Sequence, residues 1–210
     1  MSSRASSRTG KATGRGEENK RLRIATEAAR IMAEEGVRDF QAAKRKAAAR
    51  LNLAEVRNLP ANEEVQAALS QHLQLFHGTE LARNARRLRE TAVEAMNFLA
   101  PFEPRLVGPV LAGTVTLTSE IQLHVSADSP EHLGMFLREH HIPFRLGERR
   151  VRFGGDRYEN VSTYHFTAGG TAIELYVFDP CAVRETPLSP VDGRPMRRGS
   201  LKEVEALLKQ

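Results

Sequence analysis

Polar and apolar side chains alternate from Glu120 to Val125, and this stretch holds the residues best suited to chemistry. In a β-strand, alternate side chains share a face and stand about 7 Å apart, so Glu120, Gln122 and His124 are predicted to line one face. A carboxylate, an amide and an imidazole on one face suit a metal ion or a polar ligand. The apolar side chains predicted to face the core are Ile121, Leu123 and Val125.

The block that ends in this stretch resembles a known signature. From Gly108 to Leu123 it reads G-P-V-L-A-G-T-V-T-L-T-S-E-I-Q-L, which is similar to the G-S-x-A-x-G-x(5)-S-D-I-D-L signature of the nucleotidyltransferase fold shared with DNA polymerase beta. The alignment needs no gap, and the matching residues are Gly108, Gly113, Ser119, Ile121 and Leu123. The same block also resembles a widespread group of bacterial proteins, which supplies no activity to carry over.

The resemblance implies a site for metal-dependent transfer of a nucleoside monophosphate from a nucleoside triphosphate to an acceptor. That family holds Mg²⁺ or Mn²⁺ with three carboxylates, the third on a later strand beside the first pair, and Glu174 in A-I-E-L-Y-V matches this position. The implied catalytic and metal-binding residues are Glu120, Gln122 and Glu174. His124 is a further catalytic candidate, as a metal ligand or general base, with a packing role in the sheet as the alternative.

The resemblance also implies a nucleotide-binding loop formed by Gly108, Pro109, Gly113, Thr114 and Ser119. Three departures from the signature fall where the family does chemistry. Pro109 replaces a serine that contacts phosphate and removes a backbone N–H, while Glu120 and Gln122 replace the two aspartates. Because the site loses negative charge, two hypotheses stay open. One is a divergent nucleotidyltransferase, and the other is a catalytically degenerate module that binds a nucleotide or nucleic acid.

The elements around this block predict an α+β fold. An N-terminal helical region at 17–100 precedes a nucleotidyltransferase-like core at 101–210, a mixed β-sheet with packed helices. Apolar residues at helical spacing predict four helices, at about 20–36, 39–51, 62–76 and 79–100.

Local signals place the later elements. Ser129 and Ser200 are predicted to cap two further helices. The sequence Ala168-Gly169-Gly170 between two alternating segments, 161–166 and 171–178, predicts a β-hairpin.

Positive charge is concentrated near the N-terminus of a chain whose formal net charge is +5. Residues 1–16 are predicted to form a disordered basic tail by their composition. The second helix carries a basic run that indicates either a solvated face or nucleic-acid contact, formed by Lys44, Arg45, Lys46 and Arg50.

A helix, a glycine turn and a basic helix resemble the start of a tetracycline-repressor-type DNA-binding domain. A DNA-binding regulator is therefore the third hypothesis. Its weakness is that only residues 54–58 stand where the recognition helix should follow, before Leu59-Pro60 ends the pattern.

Two further groups of arginines are candidates for anion binding. A strand or hairpin predicted at 142–153 carries Arg145, Arg149, Arg150 and Arg152. These either neutralise a phosphate bound beside Glu120 or protect a sheet edge from aggregation. The C-terminal candidates are Arg184, Arg194, Arg197 and Arg198.

The composition predicts a cytoplasmic protein with no membrane partner. Its single cysteine, Cys181, excludes a disulfide framework. No apolar run approaches the roughly 20 residues of a membrane span, and no apolar segment near the N-terminus resembles a signal peptide.

Overall fold

The computed structural model describes residues 9–53, 59–155, 157–180 and 185–209. The chain divides into a helical unit, Met1–Gly78, and a second unit, Thr79–Gln210, which contains a five-stranded mixed sheet. The predicted α+β class is confirmed. The division falls at Gly78, whereas the sequence analysis placed the boundary between residues 100 and 101.

The first unit contains helix α1 (Thr9–Glu35), helix α2 (Phe40–Arg50) and the first part of helix α3 (Asn62–Phe98). Its core is apolar, and among the fully buried side chains are Ile24, Ile31, Ala43, Ala47 and Val65. Helix α1 begins at Thr9, so residues 9–16, assigned by composition to a disordered tail, are helical in the structure. Residues 1–8 of that tail lie outside the described residues.

Helix α2 follows the sequence prediction closely. Asp39 is its N-cap, and the Asp39 side chain accepts a hydrogen bond from the backbone N–H of Ala42 at 2.6 Å. A capping carboxylate satisfies a backbone donor that has no partner inside the helix. The segment 54–58, where a recognition helix would be needed, lies outside the described residues.

Helix α3 corrects the prediction of two helices. It runs unbroken from Asn62 to Phe98, and Gly78 lies in its interior. The sequence predicted separate helices at 62–76 and 79–100, on either side of Gly78, but one glycine costs a helix only about 1 kcal/mol relative to alanine. Asn62, whose residue type predicts an N-cap, is instead the first helical residue, and its Oδ1 accepts a hydrogen bond from Lys44 at 2.8 Å.

The sheet of the second unit has the strand order β1-β2-β5-β4-β3. Its strands are β1 (Arg105–Val107), β2 (Ile121–Ser126), β3 (Arg145–Arg152), β4 (Tyr158–Ala168) and β5 (Thr171–Phe178). Strands β2 and β5 are parallel neighbours, and the other pairs are antiparallel. The helices that follow α3 are a short 3-10 helix (Ala100–Phe102), α4 (Gly108–Ala112), α5 (Pro130–Glu139) and α6 (Leu201–Leu208).

Local signals in this unit are confirmed. Gly169 and Gly170 have φ of 55° and 74° and close the predicted hairpin between β4 and β5, since a two-residue hairpin turn of this kind needs positive φ at both positions. Ser129 caps α5, and Ser200 forms a complete capping box with Glu203 at the start of α6.

The two faces of the sheet differ in character. The buried residues Ile121, Leu123, Ile173 and Leu175 form the apolar face, as the alternation predicted. On the opposite face, the strand register aligns a row of side chains that we call the polar row, formed by Gln122, Glu174, His165 and Arg145. Among the described helices, none is long and apolar enough to cross a membrane.

Candidate functional site

The polar row brings together two of the candidate residues from the sequence. Gln122 on β2 lies directly opposite Glu174 on β5, and Gln122 Nε2 donates a hydrogen bond to Glu174 Oε2 at 3.2 Å. Glu120 comes just before β2, which begins at Ile121, so it is not the strand residue that the alternation predicted. It is half-buried.

The carboxylate of Glu174 is fully buried, with 0% of its side chain exposed. Arg149 Nε, from the edge strand β3, donates to Glu174 Oε1 at 2.9 Å. His165 Nε2 lies 3.7 Å from the same oxygen and 3.0 Å from the hydroxyl of Thr163. Side chains from three strands therefore surround one buried carboxylate, whose charge is balanced inside the protein.

The guanidinium of Arg149 is held in place while much of it stays accessible. Its side chain is 51% exposed. The hydrogen bond to Glu174 and the negative charge of that carboxylate raise the pKa of Arg149, and Tyr176 and Glu120 make smaller contributions in the same direction. Glu120 and Glu174 therefore both act on Arg149, one of the four arginines predicted either to neutralise a phosphate beside Glu120 or to protect a sheet edge.

Gly108 begins α4 with a backbone conformation that favours glycine. Its φ is 71°, and a Cβ added there would stand 2.3 Å from Oε1 of Gln122. The match of Gly108 to the signature thus has a steric cause here, since the position leaves room for the Gln122 side chain.

The other candidate loop residues form the ends of α4 and the turn after it. Pro109 lies in the first turn of α4, where a backbone N–H has no acceptor within the helix, so the N–H that proline lacks is not needed there. Gly113 ends the helix with φ of 78°, and the N–H of Thr114 donates to the carbonyl of Pro109 at 3.0 Å. Ser119 Oγ accepts from the N–H of Thr116 at 2.8 Å. All of these bonds are internal to the loop and fix its shape.

Helix α3 also holds this loop. The amide of Asn84 donates to the carbonyl of Thr116 at 2.9 Å, and Arg89 Nε donates to the carbonyl of Val110 at 3.2 Å. Neither contact could be predicted from the sequence, because a polar residue on a helix gives no signal of which loop it will meet.

His124 lies two residues beyond Gln122 on β2, on the same face, and is buried in an aromatic cluster. Its ring centroid is 4.7 Å from that of Phe178 and 5.5 Å from that of Tyr176. Burial, and then the charge of Arg198, lower the pKa of His124 to about 3. Its Nδ1 has no hydrogen-bond partner among the described residues. This environment favours the packing alternative, because a general base needs contact with the reacting group.

The donor set around Glu174 does not fit the divalent metal that the resemblance implies. Mg²⁺ and Mn²⁺ bind oxygen ligands, whereas Gln122 directs its NH₂ group and Arg149 its guanidinium at the carboxylate. A metal at Glu174 would have to displace Arg149. No group of three or more histidine, cysteine or acidic side chains that could hold a metal exists within the described ranges. The metal ligands Glu120, Gln122 and Glu174 remain a prediction.

Basic residues of α2 have partners within the first unit. Lys44 is buried, and its Nζ donates to the carbonyl of Pro60 at 2.9 Å and to Asn62. Lys46 pairs with Glu35, and Arg50 pairs with Glu35 at 2.6 Å. Three of the four positive charges that suggested nucleic-acid contact thus take part in internal interactions, and nucleic acid remains a predicted partner.

Two cavities of the second unit are separate from the polar row. One, of about 290 Å³, is lined by Phe102, Asp128 and His132, and the other, of about 560 Å³, lies between α5 and the β3–β4 hairpin. Neither is lined by Gln122 or Glu174. The charged groups around Glu174 are thus arranged outside these two cavities.

Comparisons of the chain with protein-family models, with curated proteins and with solved structures find no match.

Proposed function

We propose that this protein is a nucleotide-binding module related to the nucleotidyltransferases by its Gly108–Leu123 block, and that it binds its ligand without a catalytic metal. The observation that supports this most is the buried carboxylate of Glu174, which is neutralised by Arg149 at 2.9 Å and receives the amide of Gln122 at 3.2 Å. In this arrangement Glu174 positions Arg149.

Arg149 supplies the anion contact in this proposal. Its Nε donates to Glu174, so the edge formed by its two terminal amino groups is directed elsewhere. A planar guanidinium can donate two parallel hydrogen bonds from such an edge to phosphate oxygens. Because Glu174 already holds the group, less conformational entropy is lost when phosphate binds. The net charge of +5 also favours an anionic ligand.

Glu174 is a positioning residue in this account, and Arg149 is the ligand-binding residue. Glu174→Gln would keep the shape of the side chain and remove its charge. We expect this variant to loosen Arg149 and weaken nucleotide binding, while Arg149→Gln removes the contact itself and weakens binding more.

The test is thermal unfolding of the full chain with each of the four ribonucleoside triphosphates, in chelator, Mg²⁺ or Mn²⁺. A ligand at 100 times its dissociation constant adds about 2.7 kcal/mol to the free energy of unfolding. We expect a shift with at least one nucleotide in chelator, lost in Arg149→Gln and kept in the neighbouring variant Arg150→Gln. Arg150 stacks on Tyr158, with 4.3 Å between its guanidinium carbon and the ring centroid.

Two outcomes would contradict the proposal. A shift that needs both metal and nucleotide, and disappears in Glu120→Gln, would instead assign the metal-dependent transfer that the resemblance implies. The absence of a shift with every nucleotide in every condition would exclude nucleotide binding at accessible concentrations.

A further inference from the structure

The C-terminal segment adds a short backbone pairing to the outer edge of β1. The N–H of Leu106 donates to the carbonyl of Gly199 at 2.9 Å, and the N–H of Gly199 donates to the carbonyl of Leu106 at 2.8 Å. A Cβ on Gly199 would stand 2.6 Å from Leu111, so this position faces the apolar side. Because side chains alternate along an extended chain, Arg198 is placed on the face of the polar row.

Arg105, on the neighbouring strand β1, lies on the same face. It is opposite His124 in the β1–β2 register, and Val107, which follows two residues later, is opposite Gln122. The side chain of Arg105 is exposed and that of Arg198 is half-buried. Two arginines therefore stand at the β1 end of the face whose centre is Gln122 and Glu174.

The electrostatics agree with this placement. Burial, and then the charge of Arg105, lower the pKa of Arg198, as expected for two arginines on the same face of the sheet. The charge of Arg198 also contributes to the lowered pKa of His124. The pKa of Glu203 is lowered chiefly by the hydrogen bonds that its carboxylate accepts in the capping box at Ser200, and further by the charges of Arg197 and Arg105. Two like charges on one face favour the binding of an anion near both of them.

We propose that Arg105 and Arg198 form a subsite for the distal phosphates of a nucleoside di- or triphosphate. This rests on the proposed function, in which Arg149 binds the same ligand nearer to Glu174. Strands stand about 4.8 Å apart, so the backbone of Arg198 lies roughly 14 Å, or three strand spacings, from that of Glu174. The long arginine side chains shorten this gap, and an extended polyphosphate nucleotide spans it.

This subsite makes affinity depend on the number of phosphates. The probes are the mono-, di- and triphosphates of adenosine, guanosine, cytidine and uridine, titrated calorimetrically into the full chain in chelator. We expect the di- and triphosphates to bind more tightly than the monophosphate. That preference should fall about tenfold in Arg105→Gln and in Arg198→Gln, the loss expected for one charge-assisted hydrogen bond.

Arg197→Gln is the matched control. It removes the same charge one residue away, on the side of the chain that alternation directs away from the polar row. We expect it to leave the preference for extra phosphates unchanged. The thermal midpoint and circular dichroism of each variant, recorded without ligand, check that the half-buried Arg198 can be replaced without unfolding the protein. If it cannot, the variant at the exposed Arg105 still tests the subsite.

The outcomes separate this inference from the proposed function. A preference for extra phosphates that survives in both Arg105→Gln and Arg198→Gln, or binding that is equal for mono-, di- and triphosphates, would overturn the subsite while Arg149-dependent binding stands. If the wild-type chain binds no nucleotide, including the monophosphates, both proposals fail together.

Discussion

The buried carboxylate of Glu174 accepts a hydrogen bond at 2.9 Å from Nε of Arg149, although strand β4 separates the strands from which the two side chains come. The long arginine side chain crosses this strand on the face of the polar row. A fully buried acid is thereby satisfied by a side chain that is half exposed. The same contact therefore satisfies a buried group of the sheet and holds an accessible positive charge at its surface.

The first prediction concerns this pair. Arg149→Gln leaves a buried charge without its main partner, so we expect the free energy of unfolding to fall by about 1–3 kcal/mol. Glu174→Gln removes the charge that needs a partner and should cost less. Chemical denaturation of both single variants and the double variant gives the coupling energy, expected between about 0.5 and 3 kcal/mol. Additive effects of the two substitutions would show that the contact contributes nothing to stability.

The second prediction concerns His124 and pH. Its pKa is lowered to about 3 in the folded chain, mainly by burial, against about 6.5 in an unfolded chain. Below pH 6.5 the unfolded state therefore binds the proton more readily, and stability falls as the pH falls from about 6.5 to 3. The slope from this group is at most about 1.4 kcal/mol per pH unit.

Denaturation of His124→Leu across this pH range is the measurement. We expect the variant to lose this part of the pH dependence, whereas His141→Asn, at an exposed position with φ of 57°, should keep it. An NMR titration that shows the His124 ring protonating near pH 6.5 in the wild-type chain would contradict the prediction.

Features set by neighbouring residues could be predicted from the sequence. The β4–β5 hairpin follows from Gly169-Gly170 between alternating segments, and the start of α5 follows from Ser129 before a proline. The pairing of Gln122 with Glu174 also follows the expectation, because alternation fixed their faces and the resemblance placed their strands side by side.

Contacts that depend on the order of the strands could not be predicted. Arg149 and Glu174 are 25 residues apart, and four arginines in one segment gave no reason to choose Arg149. His124 had the right face for chemistry, but the aromatic rings and Arg198 that surround it come from other parts of the chain. A pattern gives the face of a side chain, whereas its accessibility depends on what packs over that face.

The third prediction concerns the basic helix α2. Lys44 is buried and donates hydrogen bonds to Pro60 and Asn62, so Lys44→Met should lower the free energy of unfolding by about 1–3 kcal/mol. Because this amine faces the interior, we expect no change in the binding of duplex DNA. Fluorescence anisotropy with the full chain at several salt concentrations measures this.

The exposed neighbour Arg45 is the matched control for Lys44. If DNA does bind along α2, Arg45→Gln should reduce the slope of log affinity against log salt by about one unit. The same reduction in Lys44→Met, with the fold intact, would mean that Lys44 leaves its buried partners to contact phosphate.

The fourth prediction concerns the continuity of α3. Gly78 lies in the helix interior at an exposed position, and a Cβ added to it meets no other atom within 4 Å. Gly78→Ala should therefore raise the free energy of unfolding by about 0.5–1 kcal/mol, through the lower backbone entropy of alanine in the unfolded chain. The matched control is Gly193→Ala, since a Cβ there also meets no atom within 4 Å but the backbone has φ of 67°. We expect this control to lose stability in the same denaturation experiment. A loss of stability in Gly78→Ala would mean instead that the chain turns at Gly78, as two separate helices would require.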